Sequence, residues 1–430
     1  MDKEATLRIN GERLWDRLMA LAEIGATAAG GNCRLALTAL DGKGRDLVTG
    51  WAREMGCTVR IDAIGNIFMR RAGLHDTAAV MTGSHIDTQP TGGKFDGNFG
   101  VLSGIEVLST LHDAGIVTAR PIEVVIWTNE EGSRFVPVMM GSGVYCEAFS
   151  LESALAQKDL DGISVAEALT AIGYAGTDKV APPAAYFEAH IEQGPVLEAN
   201  GKTIGVVSGA LGQRWYNVTV TGMEAHAGPT PMPMRRDALL CAAKLIEEVN
   251  EIALAYAPNG RGTVGWIESY PNSRNVIPGQ VRFSVDLRAP DETTLSAMDA
   301  RLRAACEAAC AGVWVGDVNE AAPRFRIEVE QVVYFPAQAF DANLIDCIAQ
   351  ASTALDFSAM PTVSGAGHDA VYLARMAPAA MIFVPCKDGI SHNEIESAEP
   401  ADLEAGCNVL LHAILATSAS YEPQTSTTTR

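Results

Sequence analysis

Basic residues are scarce in this chain: 32 lysines and arginines stand against 52 acids, a net charge of −20. Without a basic stripe to displace counterions, a nucleic-acid partner is disfavoured. No apolar run reaches the roughly 18 residues that a membrane span needs, so no membrane association is expected. Cysteine is sparse as well, with nine residues, an odd count and no C-x-x-C pair. In a chain of this length that argues against a disulfide framework and for reduced thiols in a cytosol-like compartment. The N-terminal stretch carries acids and lacks an apolar h-region, so no signal peptide is expected and the location read from the sequence is cytoplasmic. Familiar catalytic motifs are missing too. There is no H-E-x-x-H and no G-x-S-x-G, since Gly389–Asn393 lacks the last glycine. Gly201-Lys202-Thr203 is a truncated phosphate loop, with Val196 where the first glycine should stand.

What remains is an ordinary globular composition, 48% apolar and 20% charged over 430 residues, enough for two domains. Up to about Gly212, buried β-branched runs alternate with helical periodicity, the pattern of an α/β layered domain. The clearest strand is PIEVVIWT at 121–128. From Trp215 the order becomes βαββαβ, a ferredoxin-like unit of about 115 residues, ending in a strand expected over 324–333. The α/β pattern then resumes. The fold class expected is therefore an α/β layered domain over 1–212 and 328–420, interrupted by an inserted unit over 213–327. A polar flexible tail is expected at 421–430.

The eight histidines are placed tellingly. His85 ends a strand in TGSHIDT, followed by Asp87 and, in a glycine-rich loop, Asp96. His190 ends a strand in HIEQGP, and His392 follows the strand at 381–384 in GISHNE. The strand PIEVVIWT runs into Glu130 and Glu131. Carboxyl ends of strands are where open α/β sheets bind ligands. Imidazole and carboxylate together suit zinc, manganese, cobalt or nickel. His85, Asp96, Glu131, His190 and His392 supply five ligands, enough for two divalent ions per chain if one carboxylate bridges, and Asp96 between glycines is the natural bridge. The adjacent Glu130 is then available to handle a proton of water.

The motifs GSHIDT, GGKFDGNFGV, NEEGSRF, HIEQGP, AHAGPTPM, SRNVIPG and SGAGHDA, with SHNE near the end, resemble the hydantoinase/carbamoylase branch of the two-metal amidohydrolases. That branch is related to aminoacylases and carboxypeptidase G. The resemblance runs from about residue 10 to residue 416 and implies a metal-bearing α/β domain with an inserted lid through which two chains dimerise. It implies His85, Asp96 and His190 on one ion, and Asp96, Glu131 and His392 on the other. Glu130 is implied as general acid/base and Asp87 as the carboxylate that orients His85. His226 is implied to stabilise an oxyanion, reaching the partner subunit's site. Arg288 is implied to grip a substrate carboxylate, with Gln193, Asn275, Arg214 and Gly365 as further contacts and His368 and Asp369 behind them. The activity implied is hydrolysis of N-carbamoyl-amino acids. Allantoate, ureidoglycolate and β-ureidopropionate hydrolysis are the alternatives within the branch. A dipeptidase or aminoacylase is a more distant alternative, disfavoured by a histidine at position 190. A non-catalytic binding protein is the alternative outside enzymes, disfavoured because every expected ligand and Glu130 are present.

Overall fold

The computed structural model describes residues 6–310 and 325–419. The chain forms two compact units, one built from residues up to Ser208 and from Phe340 onward, the other from Gly209–Ala339. The second unit thus begins slightly before and ends well after the expected 213–327. The strand Arg326–Phe335 pairs along its length with Gly212–Thr221, which keeps it in the second unit. The tail expected at 421–430 lies outside the described residues. All nine cysteines are unpaired thiols. Among the described residues no helix is long and apolar enough to cross a membrane.

The first unit is organised by a mixed sheet. Its strands run in the order Thr58–Ile61, Ile67–Arg71, Ile122–Trp127, Val80–His85, Ala185–Ile191, Ala379–Val384 and Ile204–Ala210. The four from Ile122–Trp127 to Ala379–Val384 are parallel to one another. Every residue in those four is buried, as expected for strands covered on both faces. Successive side chains alternate between two cores, as strand geometry dictates. Val80, Ile122, Val124, Ile126, Phe187, Ile191 and Ile382 join the core under the helices Gly11–Ala22, Asn98–Asp113 and Pro400–Ala419. Met81, Val125, Trp127, Tyr186, Met381 and Phe383 join the core on the opposite face. Each such large side chain contributes about 1.5–3 kcal/mol by leaving water. The helix Asn98–Asp113 is buried from Asn98 to Leu111, so it is a core helix rather than an amphipathic one.

In the second unit the strands Gly212–Thr221, Ile267–Tyr270, Gln280–Ala289 and Arg326–Phe335 alternate with the helices Ala238–Ala255 and Glu292–Cys310 in the order βαββαβ. All pairings are antiparallel, with Gly212–Thr221 and Gln280–Ala289 at the centre. Tyr216, Val218 and Val220 on one central strand and Val281, Phe283, Val285 and Leu287 on the other face both helices. Asp237 caps the first helix by accepting from the amides of Leu239 and Leu240. One strand expected over 263–269 is instead two short strands, Arg261–Thr263 and Ile267–Tyr270, both on Gln280–Ala289. The break falls at residues 264–266 around Gly265, where an edge strand gains nothing from a side chain that packs.

Candidate metal centre

The parallel strands end together, and their ends carry the site. His85 is the last residue of its strand and lies in register with Trp127, three residues before Glu130. His190 lies in register with Phe383 on the neighbouring strand, and His392 follows the same neighbour by a loop. Asp96 stands in the loop between His85 and the helix Asn98–Asp113.

These five side chains converge as two trios that share Asp96. Asp96 Oδ1 lies 3.3 Å from His190 Nε2 and 3.8 Å from His85 Nε2. Asp96 Oδ2 lies 3.4 Å from His392 Nε2, which is 3.2 Å from Glu131 Oε2. Donors placed tetrahedrally about 2.0–2.1 Å from a single ion are about 3.3–3.4 Å apart, which the 3.2, 3.3 and 3.4 Å separations match while the 3.8 Å from His85 is wider. Tautomers agree. Nδ1 of His85 donates to the Asp87 carbonyl at 2.9 Å, and Nδ1 of His190 donates to the Ile191 carbonyl at 2.9 Å. A carbonyl only accepts, so each ring carries a proton on Nδ1 and turns Nε2 toward Asp96; without a cation, Nε2 of His190 is protonated toward Asp96 as well. Glu130 Oε2 is 3.5 Å from His85 Nε2, beside the first trio.

Electrostatics point the same way. Burial, reinforced by Asp369 and Glu131, pushes the Glu130 carboxyl well above the usual range. Burial and Asp96 do the same to Glu131. Burial draws His85 down to about 4. Burial alone would raise Asp96, but its hydrogen bond and charge pairing with His190 outweigh that and hold it below the ordinary value. A pocket that crowds buried carboxylates against imidazoles is one in which a cation competes with protons.

Asp87 does its work differently from the expectation. Its carboxylate is 4.0 Å from His85 Nδ1, and only its backbone carbonyl receives the ring proton. The carboxylate oxygens instead accept from the amides of Glu130 at 3.3 Å and Glu131 at 3.2 Å. Asp87 therefore orients His85 through its main chain and clamps the Glu130-Glu131 turn through its side chain. That turn starts from Asn129 at φ 53°, and Gln193 and His392 sit at φ 56° and 54°. Left-handed non-glycine residues of this kind cluster at functional sites. Gln193 Nε2 donates to Asp96 Oδ2 at 2.8 Å, while its Oε1 is buried without a hydrogen-bond partner among the described residues.

Several participants escaped the sequence reading. Gln89 Nε2 donates to Glu131 Oε2 at 2.7 Å. Glu188 forms a third trio with His190 and His368. Its oxygens, however, accept from Ser84 Oγ at 2.7 Å, Tyr186 OH at 3.3 Å and the Ala370 amide at 2.9 Å. His368 Nε2 is bonded to Ser364 Oγ at 2.8 Å. This trio is a hydrogen-bonded wall behind His190. The period-2 spacing of Glu188 and His190 was the available signal. Gly365, in the same unit, has open space around its α-carbon.

The other expected contacts belong to the second unit. His226 is exposed and pairs with Val276, and the carbonyl of Asn275 accepts from the Ala227 amide at 2.8 Å, so His226 and Asn275 are neighbours. Arg288 donates to Asp286 at 2.8 Å. Arg214 stands opposite Leu287, on the helix-bearing face, with Glu292, with Asp299 at 3.4 Å, and over the Tyr334 ring. Arg288 is one register step on and so lies on the opposite face. Arg214 is thus committed to packing the helix Glu292–Cys310, which removes the reason to place it on substrate.

Comparison with known proteins agrees with this geometry. A profile of peptidase family M20/M25/M40 matches residues 81–416. An N-carbamoyl-L-amino-acid amidohydrolase of Rhizobium meliloti is 46% identical, over 96% of this chain and 98% of that one. The allantoate amidohydrolase of Bacillus subtilis is 34% identical over 92% and 95%. The crystal structure of an amidase of the hydantoinase/carbamoylase family from Burkholderia multivorans superposes with a TM-score of 0.91 at 54% identity, covering 96% of this chain and 99% of that one. The chain belongs to peptidase family M20/M25/M40, in its hydantoinase/carbamoylase amidase branch.

Proposed function

We propose that this protein is a metal-dependent amidohydrolase that cleaves N-carbamoyl-amino acids to the amino acid, ammonia and carbon dioxide. The observation that carries the reading is the pair of trios sharing Asp96, with Glu130 beside them. His85, Asp96 and His190 would hold one divalent ion, and Asp96, Glu131 and His392 a second, zinc, manganese, cobalt or nickel. Bound there, such ions supply Lewis-acid polarisation of a carbonyl and acidify water. Glu130, 3.5 Å from His85 Nε2 beside the first trio, takes a proton from the attacking water as it adds to the ureido carbonyl. It then delivers that proton to the departing nitrogen. The carbamate left behind loses carbon dioxide. From the second unit, Arg288 grips the substrate carboxylate, Asn275 adds a polar contact, and His226 donates to the developing oxyanion. Gln193, whose buried Oε1 has no hydrogen-bond partner among the described residues, and Gly365, where a β-carbon would meet nothing within 4 Å, complete the contacts. The same unit serves as lid and dimer contact; its exposed Met232, Met234 and Leu240 offer apolar surface, and the solution mass checks the dimer.

The experiment is a panel of N-carbamoyl-L-amino acids, allantoate, ureidoglycolate and β-ureidopropionate, assayed for ammonia with each metal added back. Preferred turnover of N-carbamoyl-L-amino acids is expected. The relative named allantoate amidohydrolase makes allantoate the informative competitor. Ammonia release from none of the panel would refute the proposal. Glu130→Gln is expected to lower kcat by at least about 100-fold while metal content is kept. His85→Ala is expected to lose metal and activity together.

A further inference from the structure

The loop that carries Asp96 is held from behind by a carboxylate with no part in the reaction above. Glu396 is buried, 5% exposed. Its Oε1 accepts from the amides of Phe95 at 2.8 Å and of Asp96 itself at 3.2 Å. Its Oε2 accepts from Ser391 Oγ at 3.2 Å. The one proton of that hydroxyl is shared with Asp96 Oδ2, the nearer acceptor, and Ser391 is the residue before His392. Glu396 therefore touches the backbone of the shared ligand and the loop that brings one ligand of the second trio. Gly93 makes room for it: a β-carbon there would lie 2.0 Å from the Glu396 carboxyl carbon.

We infer that Glu396 is the positioning residue of the centre: it fixes the two oxygens of Asp96 toward opposite trios and so couples the two metal positions. A bridging carboxylate works only while both oxygens stay aimed, and Asp96 stands on a loop next to Gly97, at φ +65°. Two amide bonds fix the backbone at 95–96, and the Ser391 link fixes the Oδ2 side. Both Glu396 oxygens face N–H and O–H donors, and Glu396 is absent from the metal-ligating trios among the described residues, so it acts through Asp96. Loss of such an outer partner typically costs 10- to 100-fold in metal affinity.

The inference rests on the two-ion reading, and the test separates them. The full chain, stripped of metal, is titrated with cobalt(II) and followed by visible absorption and calorimetry. Wild type is expected to take two ions. Glu396→Ala is expected to weaken cobalt binding about 10- to 100-fold at both positions and to alter the absorption band, a loss that a remote core variant of equal metal-free stability does not show. Glu396→Gln keeps an oxygen for the two amides and is expected to lose less. Gly93→Ala, which displaces the carboxylate without deleting it, is expected to reproduce the alanine variant. Wild-type affinity and spectrum in Glu396→Ala, or in Glu396→Gln if the alanine variant does not fold, would overturn the inference. So would an equal loss of affinity in that remote core variant. A wild-type chain that takes up no second ion would instead overturn the two-ion reading, and the coupling with it.

Discussion

Gly97 and His85 pack so closely that a β-carbon on Gly97 would lie 2.3 Å from His85 Nε2, the nitrogen that faces Asp96. The glycine after Asp96 is therefore a condition for placing the imidazole, as Gly93 is for placing Glu396. Two glycines let one loop pass between an imidazole and a carboxylate while presenting Asp96.

Gly97→Ala follows as a prediction. The residue adopts φ +65° and ψ −44°, a sparsely populated region that costs an alanine about 1–3 kcal/mol. Overpacking against His85 adds about 1–3 kcal/mol. The variant is expected to lose about 2–6 kcal/mol in denaturant unfolding and to bind metal substoichiometrically. A variant with wild-type stability and full metal content would show that the loop yields more easily than this packing implies.

Much of this arrangement was legible in the sequence, and the limits have physical causes. Strands such as Ile122–Trp127 are apolar on both faces, so composition alone marks them as interior, and ligands at their ends follow from the direction of parallel strands. Residues that act by hydrogen bonding to main chain leave no such mark. Glu396 lies in an acid-rich loop where any carboxylate looks solvated, and its role depends on amides 300 residues away. Asp87 was read as a partner for His85 because spacing shows proximity, whereas which atom accepts is decided by the turn at Asn129. The boundary expected at 327 cut through the strand that the sequence places last in the inserted unit, at 324–333, and pairing with Gly212–Thr221 keeps the whole of Arg326–Phe335 in that unit.

Arg34 leads to a second prediction. Its guanidinium is fully buried, and burial draws its pKa down to about 10. Its donors go to neutral acceptors: the carbonyls of Ile86 at 2.8 Å, Leu21 at 2.9 Å and Ile24 at 2.7 Å, and Asn98 Oδ1 at 2.7 Å. Ile86 follows His85, and Asn98 opens the helix behind Asp96, so one planar fork joins both sides of the first trio to the helix Gly11–Ala22. A lysine cannot reproduce that fork. Arg34→Lys is expected to cost about 2–4 kcal/mol through unmade bonds to buried acceptors, with a larger proportional loss in metal affinity than remote core variants of equal stability. Chemical denaturation read beside metal titration decides; unchanged metal affinity would confine Arg34 to folding.

Asp62 gives a pH dependence that lies away from the ligands. Its Oδ1 accepts from the amides of Ile64 at 3.1 Å and Asn66 at 2.8 Å, and its Oδ2 accepts from Asn66 Nδ2 at 2.8 Å. Asn66 in turn accepts from the Thr128 amide at 3.0 Å, so this turn supports the chain just before Glu130. Burial, only partly offset by the bonds from Asn66, pushes the Asp62 carboxyl up from 3.8 to about 6. The folded form then holds a proton more tightly than the unfolded chain between those values. The stability contributed is complete below about pH 4 and is lost as pH rises to about 6, an upper bound of about 3 kcal/mol. Asp62→Asn places an amide against Asn66 Nδ2, but that cost is the same at every pH. The stability of wild type relative to Asp62→Asn is therefore expected to fall between pH 4 and pH 7, measured by urea unfolding at fixed ionic strength. A difference that stays constant, or rises with pH, would show that the bonds from Asn66 outweigh burial and keep the carboxylate charged.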